Sequence, residues 1–148
     1  MKEEPTQKHD SDSSEQRAAE SEILAALEQK WGVQFGEDGP DIDQHVRLDG
    51  FADGETPTCV EIWAHQGRAK GGQIGKVMKD LCKLLLVEKL LGKACRKVFA
   101  VCDEAAIAFL QNSWQGRFAE EYGIELLVAE ISDDARQRVC SAQQRQFR

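Results

Sequence analysis

Residues 46–70, VRLDGFADGETPTCVEIWAHQGRAK, restrict the fold of this chain more than any other stretch. Side chains alternate with a period of two on either side of a short loop, which is the pattern of a β-hairpin. On the first strand Val46, Leu48, Gly50 and Ala52 share one face, and Arg47, Asp49, Phe51 and Asp53 share the other. On the second strand Val60, Ile62 and Ala64 form the apolar face, and Glu61, Trp63 and His65 lie opposite. A slip of one residue would turn every side chain over, so the two apolar sets fix the register. The loop must then be odd, such as one centred on Glu55, and Asp49 stands directly across from Glu61. Partners of this kind have Cβ atoms roughly 4.5–5.5 Å apart. Two carboxylates that close repel unless a divalent cation, a shared proton or a nearby lysine compensates. Carboxylates on the solvated face of an amphipathic hairpin are also common without any function.

The charge distribution supports a site beside the hairpin. The 148 residues carry a net charge of −7, which argues against nonspecific coating of nucleic acid. Residues 65–97, however, hold nine Lys or Arg against two Asp or Glu, and this basic segment directly follows the carboxylates. A basic helix of this kind is also an ordinary solvated face. The five cysteines, Cys59, Cys82, Cys95, Cys102 and Cys140, are odd in number and form no CxxC pair. With no secretory pattern and no apolar run of membrane-spanning length, reduced thiols, a cytoplasmic setting and no membrane partner are expected. Cys82, Cys95 and Cys102 read as small core residues. His9, His45 and His65 are not in zinc-ligand spacing with the cysteines.

Length and periodicity give one α/β domain. Residues 1–15 are polar and acidic and read as a disordered tail, leaving 16–148 as the domain. Ala19, Ile23, Ala26, Leu27 and Trp31 recur at helical spacing, and Gly32 ends that helix. A second helix spans about Gly72 to Leu91, with Val77, Leu81, Leu84, Leu85 and Leu91 inward and Lys76, Lys79, Lys83 and Lys89 outward. Residues 96–102 read as a buried strand, Glu104 to Leu110 and Gln115 to Glu121 as short helices, and Ile124 to Ile131 as a further strand. Asp133 or Asp134 would cap a last helix. The expected order is αββαβαβα, a mixed central sheet with helices on both faces.

Two motif readings fail. The run Gly67 to Lys76, GRAKGGQIGK, follows a strand and opens a helix. It lacks the first glycine of a phosphate loop, where Lys70 stands, and the magnesium-binding hydroxyl, where Val77 stands. A nucleophilic Ser or Cys is not supported either: there is no GxSxG elbow, and Cys59 has only His65 nearby without an orienting third group.

The pair Asp49 and Glu61, followed by a helix, resembles the PD-(D/E)xK nuclease superfamily over roughly Ile23 to Ile131. Leu48-Asp49 stands at the family's first element and Glu61-Ile62-Trp63 at its second. The resemblance implies a restriction-endonuclease-like core and a metal-dependent phosphodiesterase acting on DNA or RNA. It implies magnesium, or manganese, held by Asp49, Glu61 and the carbonyl of Ile62. Trp63 stands where the family has its lysine, and a tryptophan cannot supply positive charge. Lys70 or Lys76 is expected to supply it instead, with His65 shuttling a proton. Gln73 looks like the helix glutamine of some relatives. Arg68, Lys70, Gln73, Lys76 and Lys79 would meet the nucleic acid, and Trp63 would either stack on a base or cover core. The segment from Val60 to Leu84 also looks like that of small bacterial proteins. The alternative function is a catalytically inactive nuclease-fold protein that binds nucleic acid or protein. A homodimer is left open.

Overall fold

The computed structural model describes residues 6–36, 45–64 and 73–146. Along the chain run α1 (Thr6–Trp31), β1 (Gly50–Ala52), β2 (Thr58–Trp63), α2 (Gln73–Leu91), β3 (Arg96–Val101), α3 (Glu104–Gln111), α4 (Trp114–Glu121), β4 (Ile124–Val128) and α5 (Asp133–Gln146). The sheet has the order β1-β2-β3-β4. β1 is antiparallel to β2, whereas β2 and β3, and β3 and β4, pair in parallel. The class is therefore α/β with a mixed sheet, as the alternation of elements predicts. The order has one helix more than αββαβαβα, because the two short helices read from the sequence, α3 and α4, stand as separate elements between β3 and β4. Ser113 separates them, its hydroxyl bonded to the Leu110 carbonyl and accepting the Gly116 amide.

Helices cover both faces because the central strands are apolar on both. Cys59, Trp63, Phe99 and Val101 pack against Val77, Leu81 and Leu84 of α2, Ala106 and Leu110 of α3 and Ala119 of α4. Val60, Ile62, Val98 and Ala100 pack on the other side against Ala19, Ile23 and Leu27 of α1 and Val139 of α5. Parallel strands buried on both faces show this near-continuous apolar run. Among the described residues no helix is long and apolar enough to cross a membrane.

Several boundaries differ from expectation. α1 begins at Thr6, so ten residues assigned to the tail have helical backbone. Once a helix is nucleated by its packed turns, each further residue adds a hydrogen bond, and polar residues can extend it. Val46 and Leu48 precede β1 and pack with the α2-side core, not on the face of Gly50 and Ala52. β3 and β4 stop at Val101 and Val128, short of Cys102 and Ile131. Cys82 is exposed rather than a core residue, because α2 turns it outward. Ser132, not Asp133 or Asp134, caps α5: its hydroxyl accepts the Ala135 amide at 3.1 Å. Glu22 of α1 in turn accepts the Ser132 amide at 2.6 Å, tying α1 to α5.

Two glycines mark close approaches. A Cβ at Gly50 would lie 2.7 Å from Leu24 Cδ2 of α1. A Cβ at Gly116 would lie 2.2 Å from the backbone carbonyl oxygen of Leu110, so α4 can lie against α3 only without a side chain there. Gly116→Ala is expected to destabilise the fold by about 1–3 kcal/mol, the range for overpacking a filled site. Urea unfolding of the variant at unchanged m-value is the measurement; equal midpoints for variant and wild type would contradict this packing.

Candidate functional site

The hairpin register is the one that side-chain parity demands. Gly50 pairs with Val60, Phe51 with Cys59 and Ala52 with Thr58, which centres the loop on Glu55. Continued by one residue, the ladder sets Asp49 opposite Glu61. It does not continue, because the side chain of Asp49 takes over: its Oδ2 accepts the Ile62 amide at 2.8 Å. The N–H and C=O of one strand residue leave on the same side, so the carbonyl of Ile62 faces this same edge. Asp49 thus lies at the rim of the sheet, within reach of both helical layers.

Glu61 lies on the α2 side of β2 between Cys59 and Trp63, and only 2% of its surface is exposed. Its partner is Lys83, whose Nζ stands 3.0 Å from Glu61 Oε1 and donates to the carbonyl of Arg47 at 3.0 Å. The approach to Glu61 is off the hydrogen-bonding direction, so this buried oxygen is compensated in charge but has no aligned donor among the described residues. Asp80, one turn before Lys83 on α2, is 6% exposed. Glu20 reaches the same rim from α1, half-buried.

Four carboxyls thus approach one rim, and the protonation of Glu61, Glu20 and Asp80 records it. Burial, followed by the charge of Asp49, pushes Glu61 up to about 8, with Lys83 pulling the other way. Burial, again followed by Asp49, pushes Glu20 up to about 7, opposed by Lys76. Burial raises Asp80 as well, against the pull of Lys83 and Lys76. Desolvation disfavours the charged carboxylate, and like charges nearby add to it.

Of the residues expected from the sequence, Asp49 is bonded to the amide of Ile62, next to Glu61, but is not paired across from Glu61 in the ladder. Lys76 and Lys79 are exposed on α2, and Gln73 is its half-buried first residue. Trp63 is 4% exposed and sits in the α2-side core, so it covers core and is not available to stack on a base. His65, Arg68 and Lys70, with most of the glycine-rich run, lie outside the described residues. Lys83 is not the outward lysine that helical spacing suggests; its ammonium folds back onto Glu61. Sequence reading missed Glu20, Asp80 and Lys83. Only the last two carry a signal, an i, i+3 pair on the helix that follows the hairpin.

Cys59 is closed to nucleophilic chemistry. Burial and the adjacent Cys95 push its thiol up to about 12, so no thiolate forms near neutral pH.

Among the described residues no three carboxylate, imidazole or thiol side chains converge closely enough to enclose a metal ion. Magnesium does not require such a cage; it commonly takes one or two carboxylates, waters and substrate phosphate oxygens. Asp49 and Glu61 are two carboxylates of that kind on neighbouring segments of the hairpin. Comparison with protein-family models, curated proteins and solved structures finds nothing that matches this chain.

The raised carboxyls make stability depend on pH. Glu61 and Glu20 keep protons in the folded chain that the unfolded chain has already released above about 4.5. Their contribution to stability is therefore fully present below pH 4.5 and is lost as pH rises toward 7 for Glu20 and 8 for Glu61. Glu61→Gln is expected to melt higher than wild type above pH 8, by on the order of 5 °C, and to flatten the decline between neutral and alkaline pH. Parallel melting curves for the two proteins would show that Glu61 is not the strained group.

Proposed function

We propose that the protein is a metal-dependent phosphodiesterase that acts on nucleic acid. The observation that carries this reading is Glu61: a carboxylate buried beside Asp49 and Asp80, with an oxygen that has no aligned donor among the described residues and a lysine 3.0 Å away. A protein gains no stability from this arrangement, and strongly perturbed carboxyls in one basin are a mark of functional sites. A divalent cation held by Asp49, Glu61 and the Ile62 carbonyl would polarise a phosphodiester and make its attack by water easier.

The chain's own residues supply the rest. Lys83 brings from α2 the positive charge that Trp63 cannot bring from β2. Its attachment to the Arg47 carbonyl holds the ammonium at the mouth of the hairpin, where charge develops on a phosphoryl group. Lys76 and Lys79, exposed on the same helix, are suited to phosphate oxygens of the backbone, which position a nucleic acid without reading its sequence. The Ile62–Asp49 bond fixes one carboxylate oxygen, and the other is the one that would meet the cation.

The test is cleavage of single- and double-stranded DNA and RNA with magnesium or manganese. Wild type is expected to cut one of these only with the cation present. Glu61→Gln and Asp49→Asn should abolish cutting, and Lys83→Met should lower it by about 100-fold. Retention of full magnesium-dependent activity by Glu61→Gln would refute the assignment. The buried tryptophan at the lysine position favours a second reading, a nuclease-fold protein that binds without cutting. No cleavage together with salt-dependent binding to nucleic acid would select it.

Charge reversal addresses the binding surface separately. Lys76→Glu and Lys79→Glu should each weaken nucleic-acid binding and reduce the slope of affinity against salt by about one counterion. Unchanged affinity in both variants would leave the helix face as an ordinary solvated surface.

A further inference from the structure

The two edges of the sheet are finished differently. β1 has three residues, lies between Asp49 and Asp53, and has its outer side met by Gly36, whose amide donates to the Phe51 carbonyl at 3.1 Å. β4 has five residues, IELLV, in unbroken register with β3, and among the described residues no strand pairs with its outer side. Ala129 donates to the Val101 carbonyl at 2.7 Å. Backbone groups of successive strand residues point to alternate sides, so those of Leu127 face β3 and those of Ile124, Leu126 and Val128 face outward.

Edges of this length are usually blunted by lysine, proline or a bulge. β4 has none of these. Its one charge, Glu125, is held by Arg96 through two hydrogen bonds of 3.2 and 3.1 Å, and the guanidinium of Arg96 stacks 4.0 Å from the ring of Trp31. The strand therefore presents no uncompensated charge to an incoming one. Beside it lies a notch of about 370 Å³, lined by Gly116, Arg117, Glu120, Ile124 and Leu126.

We propose that β4 pairs antiparallel with β4 of a second copy of this chain, about a twofold axis through Leu126. A strand satisfies a whole row of outward amides at once, and β4 is complementary to itself. With the axis at Leu126, Ile124 stands opposite Val128 of the other copy and Leu126 opposite its own equivalent. These are the three residues whose backbone groups face outward, so each pair exchanges two hydrogen bonds. Glu125 falls opposite Leu127, and the carboxylates do not meet. A shift of the axis to Ile124 or Val128 loses pairs, so this register uses the most bonds. The half-buried Leu126 and Val128 lie on the α4 side, where the notch can take the apolar side chains of the partner strand. The contact is isologous and closes at two copies.

Sedimentation equilibrium of the full chain should give twice the 16.6 kDa of one copy. Leu126→Lys and Val128→Lys, confirmed as folded by near-ultraviolet circular dichroism, should sediment as monomers. Trp114→Ala, an exposed aromatic on α4 that does not line the notch, should stay dimeric. Amide exchange of the wild type needs no folded variant and reports the register directly. Amides of Ile124, Leu126 and Val128 should exchange more slowly as concentration rises, while Leu127, already bonded to β3, stays unchanged. A wild type that is monomeric at every concentration, a dimer that survives both lysine substitutions, or outward amides indifferent to concentration would each overturn the proposal. A monomer that gains protection at those amides only with an extended peptide would assign the edge to a different partner, and would also refute pairing between copies.

Discussion

The bond from the Ile62 amide to the Asp49 carboxylate governs both the sheet and the candidate site. A further backbone rung would extend β1, carry the apolar ladder to the rim and leave no gap between the layers. A side chain takes the amide instead. The pairing stops at Gly50 and Val60, and the last amide of the hairpin is satisfied by a charged group. Because the strand ends there, α1 and α2, which cover opposite faces elsewhere, both bring carboxyls to one rim. Glu20 of α1 senses Lys76 and Asp80 of α2, which a longer strand would have screened from it.

The basin is held together against its own electrostatics. Three groups with raised protonation, Glu61, Glu20 and Asp80, lie near a fourth acid, and Lys83 is the cation in contact with the most deeply buried of them. A hydrophobic residue of similar size in place of Glu61 would fit the flanking Cys59, Phe99 and Trp63 with less desolvation. The packing of the two cores supplies the stability that this cluster removes. Such local expense is found where a chain performs chemistry or binds an ion.

Much of this arrangement is legible in the sequence because strand parity is a strict constraint. The loop centre at Glu55 follows from the alternation on the two strands. Asp49, however, falls one residue past the last pair and meets the Ile62 amide instead of standing across from Glu61, and Val46 and Leu48 leave the face that alternation gave them. The helix over residues 16–31 and the one expected from about Gly72 to Leu91 follow from a 3.6-residue period, and their apolar sides are the ones that pack on the sheet. Lys83 was legible as a helix-surface residue but not as the partner of Glu61, because a long flexible side chain can turn back over its own helix. Glu20 carries no local signal at all: its role depends on where α1 crosses the sheet. Trp63 was ambiguous for a related reason. An aromatic on a strand face looks the same whether a helix covers it or solvent does, and here α2 covers it.

The distance from α1 to that rim is set by an atom that is missing. Leu24 fills the space where a Cβ of Gly50 would stand, and Glu20 lies one helical turn before Leu24 on the same face. The depth to which α1 sinks at residue 50 therefore decides how near Glu20 comes to Asp49. A residue that bears no charge, titrates nothing and touches no ligand acts as the spacer of the acidic basin. Drift at this position would retune the site's proton affinity while leaving every acidic residue in place.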